Sequence, residues 1–265
     1  MKSDHRSSFI ARCGMLVFSI ALAFAGVVSA SAQSQSLEPS KLRFLFLDER
    51  PGAYSLKAGS VERKISSAPY AISPPITVPP GGRFEIYQTS DQLDPATGKK
   101  IQIKVASIAP PSSLTSALVV VAIRPPQPGA TAVPAPDITY FDTSPASFPA
   151  GSVRVINVGR AQMGVQFNAM SAFVLQPGET RIAQPTPDAK DRVVARIAVS
   201  EGSDWRLISN KISLLRSDQR LTGVFVYSPS GRLHTYTSEE LAEFGTPRPG
   251  HFWLTYSESV ASSRP

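Results

Sequence analysis

The sequence predicts an all-β chain folded as two sandwiches, and three observations lead there. Short apolar runs alternate with period two and are closed by Pro, Gly or Ser, the pattern of strands with one buried side. The chain carries 24 prolines, and each interior proline removes a backbone donor and breaks a helix, so short strands and structured loops are expected. The order of elements also recurs. A leading strand, an apolar run into a Pro-Gly turn, an alternating strand and a buried strand appear in both halves, as a diverged tandem duplication would leave them.

Residues 1–32 read as a secretory signal. Lys2, His5, Arg6 and Arg12 form a basic start, residues 14–28 are uncharged and apolar, and Ala30, Ser31 and Ala32 supply the small residues of a cleavage site before Gln33. The apolar stretch is shorter than the roughly 20 residues that cross a bilayer, and no second one follows, so a mature chain without a transmembrane span is expected. Its place is the periplasm or the cell exterior. Removing Lys2, Arg6, Arg12 and Asp4 brings the formal net charge from +7 to +5. The one cysteine, Cys13, leaves with the signal, so core burial rather than a disulfide framework must hold the fold.

Residues 33–40 form a flexible leader, followed by a first domain over 41–126. Its strands are 42–47, apolar at nearly every position and so buried on both faces, then 53–56, 61–65, 76–78, 83–87, 101–105 and 118–123. Residues 127–149, with five prolines and little periodicity, read as a linker. The second domain spans 150–256, with strands at 153–158, 172–176, 193–199 and 252–256. Residues 224–227 and 233–236 flank Ser228, Pro229, Ser230 and Gly231, a hairpin signal. One short helix is expected over 237–244, where Thr237 and Glu240 have capping-box spacing and Gly245 is a stop. Residues 257–265 are a tail. The fold class is therefore two immunoglobulin-like β-sandwich domains with one short helix near the C-terminus.

The residues that carry chemistry are sparse. There is no Gly-x-Ser-x-Gly elbow and no phosphate-cradling glycine loop between a strand and a helix. His234 and His251 have no carboxylate at an orienting spacing, so no catalytic residue is assigned. No metal site and no cofactor are expected either. A zinc site would need both histidines plus carboxylates, and Asp91 with Asp94, or Asp188 with Asp191, lack the dense carboxylates of a calcium loop. Basic residues are dispersed, without the concentrated patch that nucleic acid requires. Trp205, Trp253 and Tyr236 are the candidate ligand-binding residues, as stacking platforms for a glycan, with Phe252 beside them.

In export, basic charge, size and two-sandwich organisation the chain resembles the periplasmic pilus chaperones. Their first-domain signature, a proline-led run of charged and serine residues before an apolar strand, is absent from residues 137–148 and from the lead-in to 101–105. Residues 153–158 with 165–167 are also similar to repeats of secreted sandwich proteins, a likeness that implies no activity. The expected function is a non-catalytic envelope module that binds or scaffolds an envelope protein or glycan. The alternatives are a chaperone-like protein offering an edge strand to a partner and an enzyme acting on polysaccharide through dispersed carboxylates.

Overall fold

Sixteen strands build the part of the chain that the computed structural model describes, which is residues 38–48, 53–65, 68–123, 135–231, 233 and 249–260. The expected signal, the linker's first part, the helix over 237–244, His234 and Tyr236 lie outside the described residues. The first eight strands are β1 (Ser40–Leu47), β2 (Ala53–Ala58), β3 (Val61–Ile65), β4 (Ile76–Val78), β5 (Phe84–Leu93), β6 (Lys100–Ile108), β7 (Ser116–Ala122) and β8 (Asp137–Asp142). The second eight are β9 (Val153–Asn157), β10 (Met163–Phe167), β11 (Phe173–Leu175), β12 (Thr180–Ala183), β13 (Arg192–Glu201), β14 (Asp204–Leu214), β15 (Gln219–Ser228) and β16 (Gly250–Ser259).

They form four sheets of four. Sheet I has the order β3-β2-β5-β6, sheet II β4-β1-β7-β8, sheet III β12-β9-β15-β16 and sheet IV β11-β10-β13-β14. Counting eight strands on from sheets I and II reproduces sheets IV and III strand for strand. The one parallel pair of sheet II, β1 with β7, returns as β9 with β15 in sheet III. Two of the four sequence matches between halves agree with this order, β1 with β9 and β7 with β15. The other two are out of step: sequence order alone sets the run 76–81 beside 173–178 and the alternating strand 101–105 beside 193–199, whereas topology pairs β4 with β12 and β5 with β13. Short apolar runs look alike to a period count, and only the pairing tells them apart. A seven-stranded immunoglobulin arrangement puts first and second strands of a module in one sheet; here they lie in opposite sheets.

Three apolar layers follow from the alternation. Leu42, Phe44 and Phe46 of β1 point into the layer between sheets I and II, with Leu56, Ile86, Val119 and Val121. Val155, Val165, Ile197 and Phe225 fill the layer between sheets III and IV. Leu45, Leu118, Val120, Ile156, Val224 and Val226 form a third layer between sheets II and III. Strands β1, β7, β9 and β15 are therefore covered on both faces, which is why they read as continuous apolar runs. Each such buried Leu, Val or Phe side chain contributes about 1.5–3 kcal/mol relative to exposure.

The linker expectation needs correction. The second part of the 127–149 linker is β8, paired antiparallel with β7 from Ala117↔Asp142 to Ala122↔Asp137. Its alternation is weak because it is an edge strand, half-buried along its length. The second arm of the hairpin expected around 228–231 falls on residues 234–236, outside the described residues. Both edges of β15 are taken, by β9 in parallel and by β16 antiparallel from Gln219↔Ser259 to Ser228↔Gly250.

The middle layer ends in charge. Glu258 of β16 accepts hydrogen bonds from Arg43 Nη1 of β1 and Arg220 Nε of β15, which ties sheet II to sheet III. Arg220 also donates to the Phe148 carbonyl at 2.7 Å. Replacing Glu258 by Gln leaves two guanidinium groups without their counter-charge, so Glu258→Gln should lower unfolding free energy by about 3 kcal/mol, read from denaturant midpoints.

Candidate functional site

Of the three residues singled out as stacking platforms, two have described positions and their environments are opposite. Trp253 is only 4% exposed and sits in the layer between sheets III and IV. It packs on the bare backbone of Gly223, where an added Cβ would stand 2.0 Å from the indole. Its Nε1 is buried without a hydrogen-bond partner among the described residues. Trp253 is a core residue, and the platform expectation for it is withdrawn. Trp205 is 47% exposed on the outer face of sheet IV. A Cβ at Gly164 of β10 would lie 3.2 Å from the indole Cζ3, so the ring rests over that glycine and leaves its other side to solvent.

Trp205 has company that the sequence pattern concealed. Leu207, Ile212 and Leu214 of the same strand are each at least half exposed. Residues 207 and 212 are an odd number apart and would normally face opposite ways. A bulge changes that. Ile197 pairs with Ser209 and Ala198 pairs with Leu207, so Ile208 is an extra residue and the strand's facing shifts by one. Trp205, Leu207, Ile212 and Leu214 pair with Ser200, Ala198, Val194 and Arg192, all on the outer face of β13. Val174 of β11, opposite Gly164, is also exposed and extends the patch. β14 ends sheet IV, and no described strand pairs with its other edge.

Ion pairs border this surface: Arg206 with Glu201 at 2.7 Å, and Arg192 with Asp188 at 2.6 Å. Hydrogen bonds from Arg192 hold the Asp188 carboxyl at about 2, below its ordinary range. The equivalent outer face of sheet I is different in chemistry. There Lys57 meets Glu62 at 3.6 Å and lies 4.4 Å over the Tyr87 ring, and Lys104 bonds Glu85. One module closes its outer face with a charge ladder, and the other leaves apolar side chains bare.

No family model matches the chain, and no curated protein matches it.

The loops weighed for calcium are turns. Asp94 Oδ1 accepts from Ala96 N at 2.8 Å, and Asp188 Oδ1 accepts from Lys190 N and Arg192 N at 2.9 Å each. Among the described residues no three His, Cys, Asp or Glu side chains are grouped so as to hold a metal ion. No described helix is long and apolar enough to cross a membrane.

His251 stacks on Phe225, centroids 5.0 Å apart and planes within 2°, and meets the edge of Tyr227 at 5.1 Å. Burial, with Arg206 nearby, pushes its pKa below the ordinary 6.5, and its Nε2 has no hydrogen-bond partner among the described residues. The folded state holds the neutral form and binds fewer protons than the unfolded chain. Its contribution to stability is therefore complete above about 6.5 and lost as pH falls toward the lower folded value. Denaturant midpoints should decline across that window, and less steeply in His251→Phe.

The contact between Gly223 and Trp253 carries its own prediction. Gly223→Ala should cost about 1–3 kcal/mol by overpacking, and Trp253→Phe in that background should recover part of the loss. Thermal unfolding of the two single variants and the double variant gives the coupling.

Proposed function

We propose that this protein is a non-catalytic envelope module, exported by its N-terminal signal, that binds a protein partner along β14. The observation that carries the reading is the row of Trp205, Leu207, Ile212 and Leu214, half exposed on a strand whose outer edge has no described partner. A long apolar edge strand is an aggregation hazard unless something covers it. An extended segment of a partner added to β14 would satisfy its backbone groups, with side chains of alternate residues meeting the apolar row. The repeated strand order supports descent from one duplicated eight-stranded module, in which the second copy kept its outer face open for binding.

A second reading has one observation of its own. The indole of Trp205 lies over Gly164 with its other side in solvent, the geometry of a sugar-stacking platform.

Capture from envelope extract at low and moderate salt tests both readings. Leu207 and Ile212 are exposed, so Leu207→Asp with Ile212→Asp should change stability by only about 0.5 kcal/mol each. The double variant should lose a captured protein partner by at least about tenfold at moderate salt. Undiminished capture by the double variant would overturn the proposal. Glycan retention lost in Trp205→Ala alone would move the assignment to the second reading.

A further inference from the structure

The free edge of β14 presents two faces that differ in chemistry. Leu215 N donates to the Asp191 carbonyl at 2.8 Å, in step with the ladder that pairs Arg192 with Leu214. On the other side of β13, Asn168 N donates to the Val194 carbonyl at 3.0 Å, so Val194 bonds toward β10 while Val193 and Ala195 bond toward β14. Backbone groups alternate in direction along an antiparallel ladder, so their partners Ser213 and Lys211 bond β13. Asn210, Ile212 and Leu214 therefore turn their N–H and C=O groups to the edge that no described strand occupies.

A strand added there would meet Ile212 and Leu214 on the outer face, both at least half exposed. On the opposite face it would meet Lys211, which is exposed and makes no ion pair among the described residues. Residues 207–214 contain no carboxylate. Arg196, paired with Asn210 one strand inward, donates to Gln166 Oε1 at 3.2 Å and meets no carboxylate among the described residues. The matching edge of sheet I is β6, and its cations are already neutralised: Lys100 meets Asp91 at 3.0 Å, and Lys104 meets Glu85. One edge balances its charge from within the chain, and the other leaves its lysine without a counter-charge.

A second copy of the chain fits this edge poorly. Antiparallel self-pairing centred on Lys211 or Ile212 sets the two lysines opposite or diagonal on one face, where like charges repel. We propose that the strand received by β14 alternates apolar with acidic residues, the apolar ones beside Ile212 and Leu214 and a carboxylate against Lys211. This partner chemistry rests on β14 being the docking edge proposed above.

The test titrates the ¹⁵N-labelled chain with short blocked peptides in which valine alternates with glutamate, serine or lysine, followed by amide shifts. Saturable shifts at residues 209–214 are expected with the glutamate peptide. The lysine peptide should bind at least about fivefold more weakly, with the serine peptide between them. Raising the salt should narrow that ratio. Lys211→Glu should invert the order, and because Lys211 is exposed this variant should fold as the parent does. Ile212→Asp should weaken all three peptides. Equal binding of the three, lost in Ile212→Asp, would overturn the acidic preference and leave β14 as the docking edge. No saturable shift with any peptide would overturn both readings. An order unchanged by Lys211→Glu would also overturn the proposal, and so would dimerisation of the chain that Ile212→Asp abolishes, which would assign the edge to a second copy.

Discussion

Burial of sheets II and III on both faces is the constraint on which the other features depend. A sandwich needs each sheet to hide one face, yet Leu45, Leu118 and Val120 of one half and Ile156, Val224 and Val226 of the other also hide the second. With two inner sheets committed in this way, only sheets I and IV keep outer faces for solvent or partners. The apolar layer gives way at one end to Arg43, Arg220 and Glu258, where Glu258 joins strands from both halves. An ion pair in such a place stabilises less than apolar side chains of the same volume would. Its value lies in register, because β1 and β15 meet Glu258 only when sheets II and III are correctly seated.

The two modules share a strand order and differ in what they show. Sheet I covers its outer face with lysine, glutamate and tyrosine in mutual contact. Sheet IV has at the matching place a glycine beneath an indole and a bulged strand with four large apolar side chains. A repeated scaffold with one modified face is an economical route to a binding surface, since the rigid layers beneath remain unchanged.

Strands that keep one register along their whole length were legible from the residues. Alternation located β1, β5, β7, β9, β13, β15 and β16, and unbroken apolar runs marked the strands buried on both faces. What escaped notice has identifiable causes. β8 and β12 are edge strands whose half-exposed residues blur the alternation. β14 changes facing at Ile208, so its two apolar halves cancel in any period-two count. Trp205 was legible as a candidate stacking platform. Trp253 looked equivalent to it until Gly223, thirty residues away in sequence and adjacent in the sheet, made room for its ring.

By itself the sequence determined that the chain is all-β, because alternation, β-branched runs and proline spacing are local properties that each short segment carries alone. It also carried the signs of two matching halves. The tertiary structure decided which strands are neighbours, which tryptophan is core, and where a lysine is left without a carboxylate. Those outcomes rest on contacts between residues far apart in the chain, such as Arg43 with Glu258 across 215 positions. No local period encodes such distances; they follow from the stacking of four sheets.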